Sequence, residues 1–560
     1  MNAKRMILAV RTILHLKPNQ VLYQLIRRTI PTYRLPIKNI KPICASNIQM
    51  KGFIEGRSKV TSSEFIFLNL SLQYDINRID WACDSMPRLW RYNLHYFDYI
   101  NSAWLNLDDC RKIIDSWIVN NPIGKKDAWE PYTVSLRIVN WIKYFQSIKY
   151  ENIDPRWENV LYQHALWLER NVEYHILANH YLKNGKALLF SGAYFHGKKA
   201  NKWFTEGLNI LLKESQEQIL ADGGHYEKSP MYHLIVTEDY LDGLNVIKSH
   251  IQRKVSPGDI ELLENKIMKA LDFIFAILMP DGDIPLFNDS AFGIAPAPED
   301  VFDYGKRLVG YRKPPENGSS TTITSLNNTG YYVVKKNKDM LVIDCGSISP
   351  GYQPGHTHCD ILSYELSIGG KRIVVDSGVY DYEASENRAY CRSTKAHNTV
   401  VVDGKEQSEL WGVFRVARRA GIREAGIKSL HDDAAEFVGS YAPYWAGEKG
   451  VSHERQVLFN GSNEWIFSDI VAGSGIHQIE SFIHLHPSIT IDYSLESIEL
   501  KKSGKIIAKL MVPQDINVIE NDSWYFPEFG KKLTNKVICL SNKEKLPCEI
   551  MYRIVSVSSL

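Results

Sequence analysis

The sequence predicts a two-part fold, an all-α array or toroid followed by an antiparallel β-sandwich. Three observations predict it. From about Trp81 to Gly310 apolar residues recur at intervals of three and four, the period of helices with one buried face, and no strand-like segment interrupts them. At about Arg312 the composition turns polar, in RKPPENGSSTTITSLNNTG. Beyond it, short apolar runs alternate with tight-turn signals, as in a large all-β domain. A chain of 560 residues is also too long for a single core.

In chain order, residues 1–80 read as an N-terminal extension, partly helical and punctuated by Pro. It carries Lys4, Arg5, Arg11, Lys17, Arg27, Arg28 and Arg34 among Leu and Ile. A basic amphipathic helix of this kind rests on an anionic membrane or an assembly partner, or packs on the main domain with its basic face solvated. The apolar run Met6 to Val10 is broken by Arg11, too short for a signal peptide or a membrane span, and no later segment is apolar enough to cross a bilayer. A cytoplasmic or membrane-peripheral location is therefore expected. Residues 81–315 form the helical domain, with segments such as SLRIVNWIKYFQSI and KWFTEGLNILLKESQEQIL separated by loops at Asn121-Pro122 and Asp222-Gly223-Gly224. Residues 316–560 form the sandwich, with a hairpin at Gly369-Gly370 and another turn at Asn460-Gly461.

The formal net charge of +2, with no known binding motif, gives no support for nucleic acid as a partner. Thirty Tyr and thirteen Trp fill cores and also suit the flat apolar faces of sugars. Eight scattered cysteines without CxxC spacing read as free thiols or small buried residues.

The chemistry-bearing residues concentrate in Gly351–Asp403, which holds His356, His358, Asp360, Asp376, Tyr380, Tyr390, Arg392 and His397. If GHTHCD is extended, period-two alternation points His356 and His358 to one face. Asp376 ends one strand and His397 precedes another, so antiparallel pairing gathers imidazoles and a carboxylate suited to zinc. In the helical domain, ANHYLKNGKALL places Asn179, His180 and Lys183 on neighbouring positions of one helix face, where they can neutralise a carboxylate; the alternative is a polar face at a domain seam. DGGHYEKSPMYH starts a helix at Ser229-Pro230, with Tyr232 in its first turns, either as core or as a phenol whose pKa nearby cations lower. MPDGDIPLFNDSAFG, with Asp281, Asp283, Asn288 and Asp289, lacks EF-hand spacing and reads as a turn-rich loop near the cleft.

Taken in order, ANHYLKNGKALLF, DGGHYEKSPMYH, GHTHCDILSYEL, VVDSGVYDY and AHNTVVVDG resemble the heparinase II/III family of bacterial polysaccharide lyases, which includes alginate lyases of similar build. The resemblance spans about residues 80–500. It implies an incomplete α/α toroid before the sandwich and β-elimination at a uronic acid of an acidic polysaccharide held between them. By the same resemblance Asn179 and His180 grip the substrate carboxylate, Tyr232 is acid or base, and His356 is a base. His358, Asp376 and His397 hold a mainly structural zinc. Tyr380 or Tyr390 supplies a second phenol, and Arg392 binds a carboxylate or sulfate. Lys183 departs from the family, some of whose members carry an acidic residue there. Secreted members have signal peptides, which makes the periplasm the alternative location, and a role in bacterial surface polysaccharide metabolism is a further expectation. The competing readings are a catalytically silent carbohydrate-binding or assembly protein of the same fold, and a metal-dependent hydrolase.

Overall fold

The computed structural model describes residues 3–29, 50–250, 253–315, 320–447 and 450–557. Arg34, Cys44 and the first residues of the expected 316–560 domain lie outside the described residues. The other seven cysteines are free thiols.

Helices α1 (Ala3–Ile13) and α2 (Pro18–Thr29) come first. A small antiparallel sheet, Lys59–Val60, Glu64–Phe67 and Leu70–Gln73, follows. Its Val60, Phe65 and Phe67 join the core of the helical half, so residues 50–80 pack as part of that half. The helices continue with α3 (Arg88–Tyr96), α4 (Leu107–Asn120), α5 (Pro131–Ser147), α6 (Pro155–Glu169), α7 (Ala178–Tyr194), α8 (Lys198–Gln218), α9 (Pro230–Ser249), α10 (Pro257–Ile277) and α11 (Pro298–Val309). Several start where the chain supplies an N-terminal signal: Pro131 opens α5, Asp154 caps α6, and Ser229 caps α9 ahead of Pro230. One apolar core, including Trp90, Trp117, Trp141, Trp157 and Trp203, runs through this toroid. Arg137 is fully buried in it and donates to the carbonyls of His95 and Ala128, a structural duty.

The second half is antiparallel throughout its named strands. An eight-stranded sheet runs, in spatial order, through Gly421–Ser429, Ala435–Ala442, Ser452–Phe459, Glu464–Ala472, Cys548–Ser556, Lys505–Met511, Ile498–Lys502 and Ile489–Tyr493. A five-stranded sheet (Thr322–Leu326, Tyr331–Lys336, Asp339–Asp344, Tyr364–Ile368, Lys371–Val374) and a four-stranded one (Asn517–Tyr525, Leu533–Lys545, Ile476–His484, Val400–Val402) are linked by the bridge Val374–Leu485. The sandwich core takes residues from all three, among them Leu341, Tyr364, Phe437, Phe467, Ile479 and Ile554. Gly369 and Gly370, both at positive φ, make the expected hairpin turn. A short helix, α12 (Glu386–Cys391), lies between the hairpin and the strand Val400–Val402.

One local expectation fails. Residues 351–363, with His356 and His358, are turns and loop rather than a strand. The two Pro-Gly pairs, Pro350-Gly351 and Pro354-Gly355, are turn formers, and they override the alternating pattern. This loop faces the helical half, where the His356 carbonyl accepts the Asp289 N–H at 3.0 Å.

Candidate active site

The first turns of three toroid helices converge below the 351–363 loop. α5 brings Tyr132, α7 brings Asn179 and His180, and α9 brings Tyr232. The Tyr132 and His180 rings lie 4.4 Å apart. Backbone strain collects here: Leu177 and Ala178 (φ 64° and 53°) precede Asn179, Lys228 (56°) follows Glu227, and Asn288 (55°) precedes Asp289. Non-glycine residues in this region cost roughly 1 kcal/mol or more each, and they persist where the surroundings fix an unusual aim.

His356 is the centre. Its ring stacks on Tyr232 with centroids 3.8 Å apart. Nδ1 pairs with Asp289 Oδ2 at 2.8 Å, and Nε2 lies 3.2 Å from Glu227 Oε2. Glu227 also accepts from the Asn179 side-chain amide at 3.0 and 3.2 Å and from its backbone N–H at 3.2 Å. Asp289 is shared further: Oδ1 pairs with His358 Nε2 at 2.7 Å, and the Arg388 guanidinium donates to both oxygens. Burial alone would raise the Asp289 carboxyl, but Arg388 and the two histidines outweigh it and hold it well below the carboxylate range.

The remaining groups face the same cleft. The Tyr382 hydroxyl is 3.4 Å from that of Tyr232. Burial first, then Tyr382 and Tyr132, push the Tyr232 phenol well above 10, opposite to the expected lowering by cations. His180 keeps a third of its side chain exposed, and its Nδ1 pairs with Glu173 at 3.1 Å. Packing around the ring lowers its pKa, the Glu173 carboxylate raises it, and the net direction is upward from 6.5.

Residues 59–296 match the family model described as Heparinase II/III N-terminus, and residues 319–553 match Heparinase II/III-like, C-terminal. The chain belongs to the heparinase II/III family. A heparin-sulfate lyase of Pedobacter heparinus is 27% identical over 397 residues, covering 64% of this chain and 56% of that protein. One from Bacteroides stercoris is 23% identical over 545 residues, covering 85% and 76%. The chain thus spans little more than half the length of the Pedobacter relative. The crystal structure of heparinase III superposes with a TM-score of 0.68 at 17% identity, over 96% of this chain and 89% of that one, so the fold of this family member is the family's toroid plus sandwich.

Beside His356 lies a second cluster. His358, Asp360 and His397 are buried, with one ligand-type atom each all within 4.8 Å of one another. His358 Nδ1 and His397 Nε2 are buried without a hydrogen-bond partner, as expected of nitrogens that wait for an ion. Asp376, expected in this set, instead pairs with His397 Nδ1 at 2.7 Å, so it orients that ring while Asp360 supplies the carboxylate of the triad. Burial drives His358 down to about 3 and Asp360 up to about 6.

Other expected residues stand elsewhere. Lys183 is buried against Asp239 at 2.7 Å, one turn below the cleft in a network with Lys186, because a desolvated ammonium needs a carboxylate. Arg392 is buried and donates to the carbonyls of Thr357, Gly412 and Val413, so it braces the histidine loop rather than binding an anion. The Tyr390 hydroxyl bonds to Ser523 at 2.6 Å, and Tyr380 packs on Phe526. Tyr382, Glu227, Asp289 and Glu173 contact Tyr232, His356 and His180 instead, with Arg388 behind Asp289.

Proposed function

We propose that the protein is a polysaccharide lyase that cleaves a uronic-acid polymer by β-elimination. The observation that carries this reading is His356 stacked on Tyr232, with Nδ1 anchored by Asp289. A nitrogen base and a phenol are thereby held side by side in one cleft. β-Elimination needs both: one group removes the C5 proton and another protonates the departing glycosidic oxygen. The high pKa of Tyr232 keeps its proton on and suits the acid role; His356 is the base once the polymer takes the place of Glu227 at Nε2, which lies 3.2 Å from that carboxylate in the free protein. The adjacent carboxylate must be neutralised so that charge can build on it. His180, whose pKa the Glu173 carboxylate raises, would serve that task, together with the amide ends of α5, α7 and α9. Asn179 holds Glu227 toward His356.

The names of the relatives, heparin-sulfate lyases, support an acidic polysaccharide as substrate. His358, Asp360 and His397 would hold zinc, with Asp376 behind His397; the ion would supply a cross-link between the histidine loop and the turn before Val400.

The test is ultraviolet absorbance of unsaturated uronate, followed over a panel of uronic-acid polymers. The expected result is a rise with at least one polymer that Tyr232→Phe cuts by about 100-fold or more. Products without unsaturation, or an unchanged rate in the variant, would overturn the proposal.

A further inference from the structure

The 27 residues Ala3–Thr29 contain six Lys or Arg and no Asp or Glu. Each helical residue turns about 100°, so Met6, Ile7, Val10, Ile13 and Leu14 fall within an arc of roughly 120°. That arc faces outward: these five are 57, 50, 54, 51 and 78% exposed, and Leu22 and Leu25 of α2 are 56 and 55% exposed. The opposite side of α1 meets the protein. Leu8 is buried, Arg11 pairs with Glu409 at 3.0 Å, and the Thr12 hydroxyl accepts the Trp411 indole N–H at 3.0 Å. The usual arrangement of a surface helix is inverted, with the polar side inward and the apolar stripe in water.

The pair is nevertheless firmly seated. Lys17 pairs with Glu217 and lies over the Tyr352 ring, Gln20 donates to the carbonyls of Ile176 and Tyr352, and Tyr23 stacks on Tyr174 at 4.8 Å. Through Glu217 and Tyr174 on one side and Glu409 and Trp411 on the other, the helices bridge the toroid and the sandwich. Arg11 and Lys17 are matched by acids of the protein body, whereas Arg5 and Arg28 stay exposed. A contiguous apolar stripe rimmed by cations marks an interaction surface. A second copy of this face would set cations against cations. A lipid surface matches both features, with acyl chains for the stripe and anionic headgroups for the rim.

We propose that α1 and α2 dock the protein on an anionic phospholipid membrane, lying in the plane of the interface. Tyr352, which touches Lys17, bonds through its hydroxyl to Tyr226, the neighbour of Glu227, at 3.2 Å. Docking therefore puts the lipid on the far side of α1 and α2 from the loop that carries Tyr352 and His356, which holds the enzyme at the membrane if the lyase reading is right. The docking itself does not depend on that reading.

The full chain would be sedimented with vesicles of phosphatidylcholine alone and of phosphatidylcholine mixed with phosphatidylglycerol. Binding to the anionic vesicles, weaker in high salt and near absent without phosphatidylglycerol, is expected. Ile7→Ser, Val10→Ser and Leu14→Ser combined should weaken it at least about tenfold. Arg5→Gln with Arg28→Gln should weaken it about 25-fold. Because these side chains are exposed, thermal melting of both variants should match the parent, which separates lost docking from lost folding. No binding of the full chain to anionic vesicles, or binding indifferent to both sets of substitutions, overturns the proposal. So does a dimer in solution that the serine substitutions dissociate, since the stripe would then belong to a second copy.

Discussion

His180 is the residue at which pH should act most directly. Its pKa lies above 6.5 because the Glu173 carboxylate outweighs the cost of packing the ring. A histidine raised in the folded state contributes stability that is fully present below the unfolded value of about 6.5 and is lost as pH rises through the folded value. If His180 grips a substrate carboxylate as proposed, that grip follows the same limb. KM for an acidic polymer should therefore rise on the alkaline side of 6.5, and His180→Gln should raise KM at low pH and remove the dependence; initial rates across pH would show it. The sequence named His180, Asn179, Tyr232 and His356, and the structure brings all four to one cleft. It placed Asp289 only in a turn-rich loop near the cleft and gave no role to Glu227, Tyr382 or Arg388. Glu227 and Asp289 sit beside residues at positive φ in loops, and a lone carboxylate in a loop carries no periodicity that sets it apart. Arg388 and Arg392 are four residues apart, and only contacts distinguish the one that holds Asp289 from the one that braces carbonyls.

At the scale of elements, the placement of Asn179 and His180 depends on how α7 packs on α8. The two helices approach so closely that a Cβ on Gly207 would sit 2.3 Å from the Leu189 nitrogen, and one on Gly192 would sit 2.3 Å from the Phe204 nitrogen. Backbone cannot yield as a flexible side chain does. Gly207→Ala should therefore destabilise the protein by about 1–3 kcal/mol, despite the better helix propensity of Ala. Denaturant melts would measure this, and an unchanged or raised midpoint would show that the helices are free to separate. Element types were largely legible from period. The hairpin at Gly369-Gly370 follows from turn chemistry, and the toroid helices from spacing of three and four. In the histidine loop an H-x-H pair looks like strand alternation, but Pro350-Gly351 and Pro354-Gly355 mark turns and prevail. Freed from a ladder, the loop can present His356 and His358 to the two oxygens of one carboxylate.

For the whole molecule, the site exists only across the seam. His356 and His358 belong to the sandwich half, whereas Tyr232, Glu227 and Asp289 belong to the toroid, and no local pattern could have shown which of them meet. The seam also ties the metal triad to the cleft. His358 offers Nδ1 to the triad and Nε2 to Asp289, and Asp289 holds Nδ1 of His356. An ion that fixes His358 would thus fix Asp289 and, through it, His356. If the triad holds zinc as proposed, removing it should have two separable effects. Melting temperature should fall by at least about 3 °C, because binding free energy is folding free energy. Turnover should fall less than in Tyr232→Phe, because His356 and Tyr232 remain present and only their restraint is loosened. His397→Ala should reproduce both effects and abolish bound zinc, measured by elemental analysis of the purified protein. If the variant lost zinc but kept its melting temperature and turnover, the triad would hold an ion without bracing the cleft, and Arg388 alone would be enough to fix Asp289.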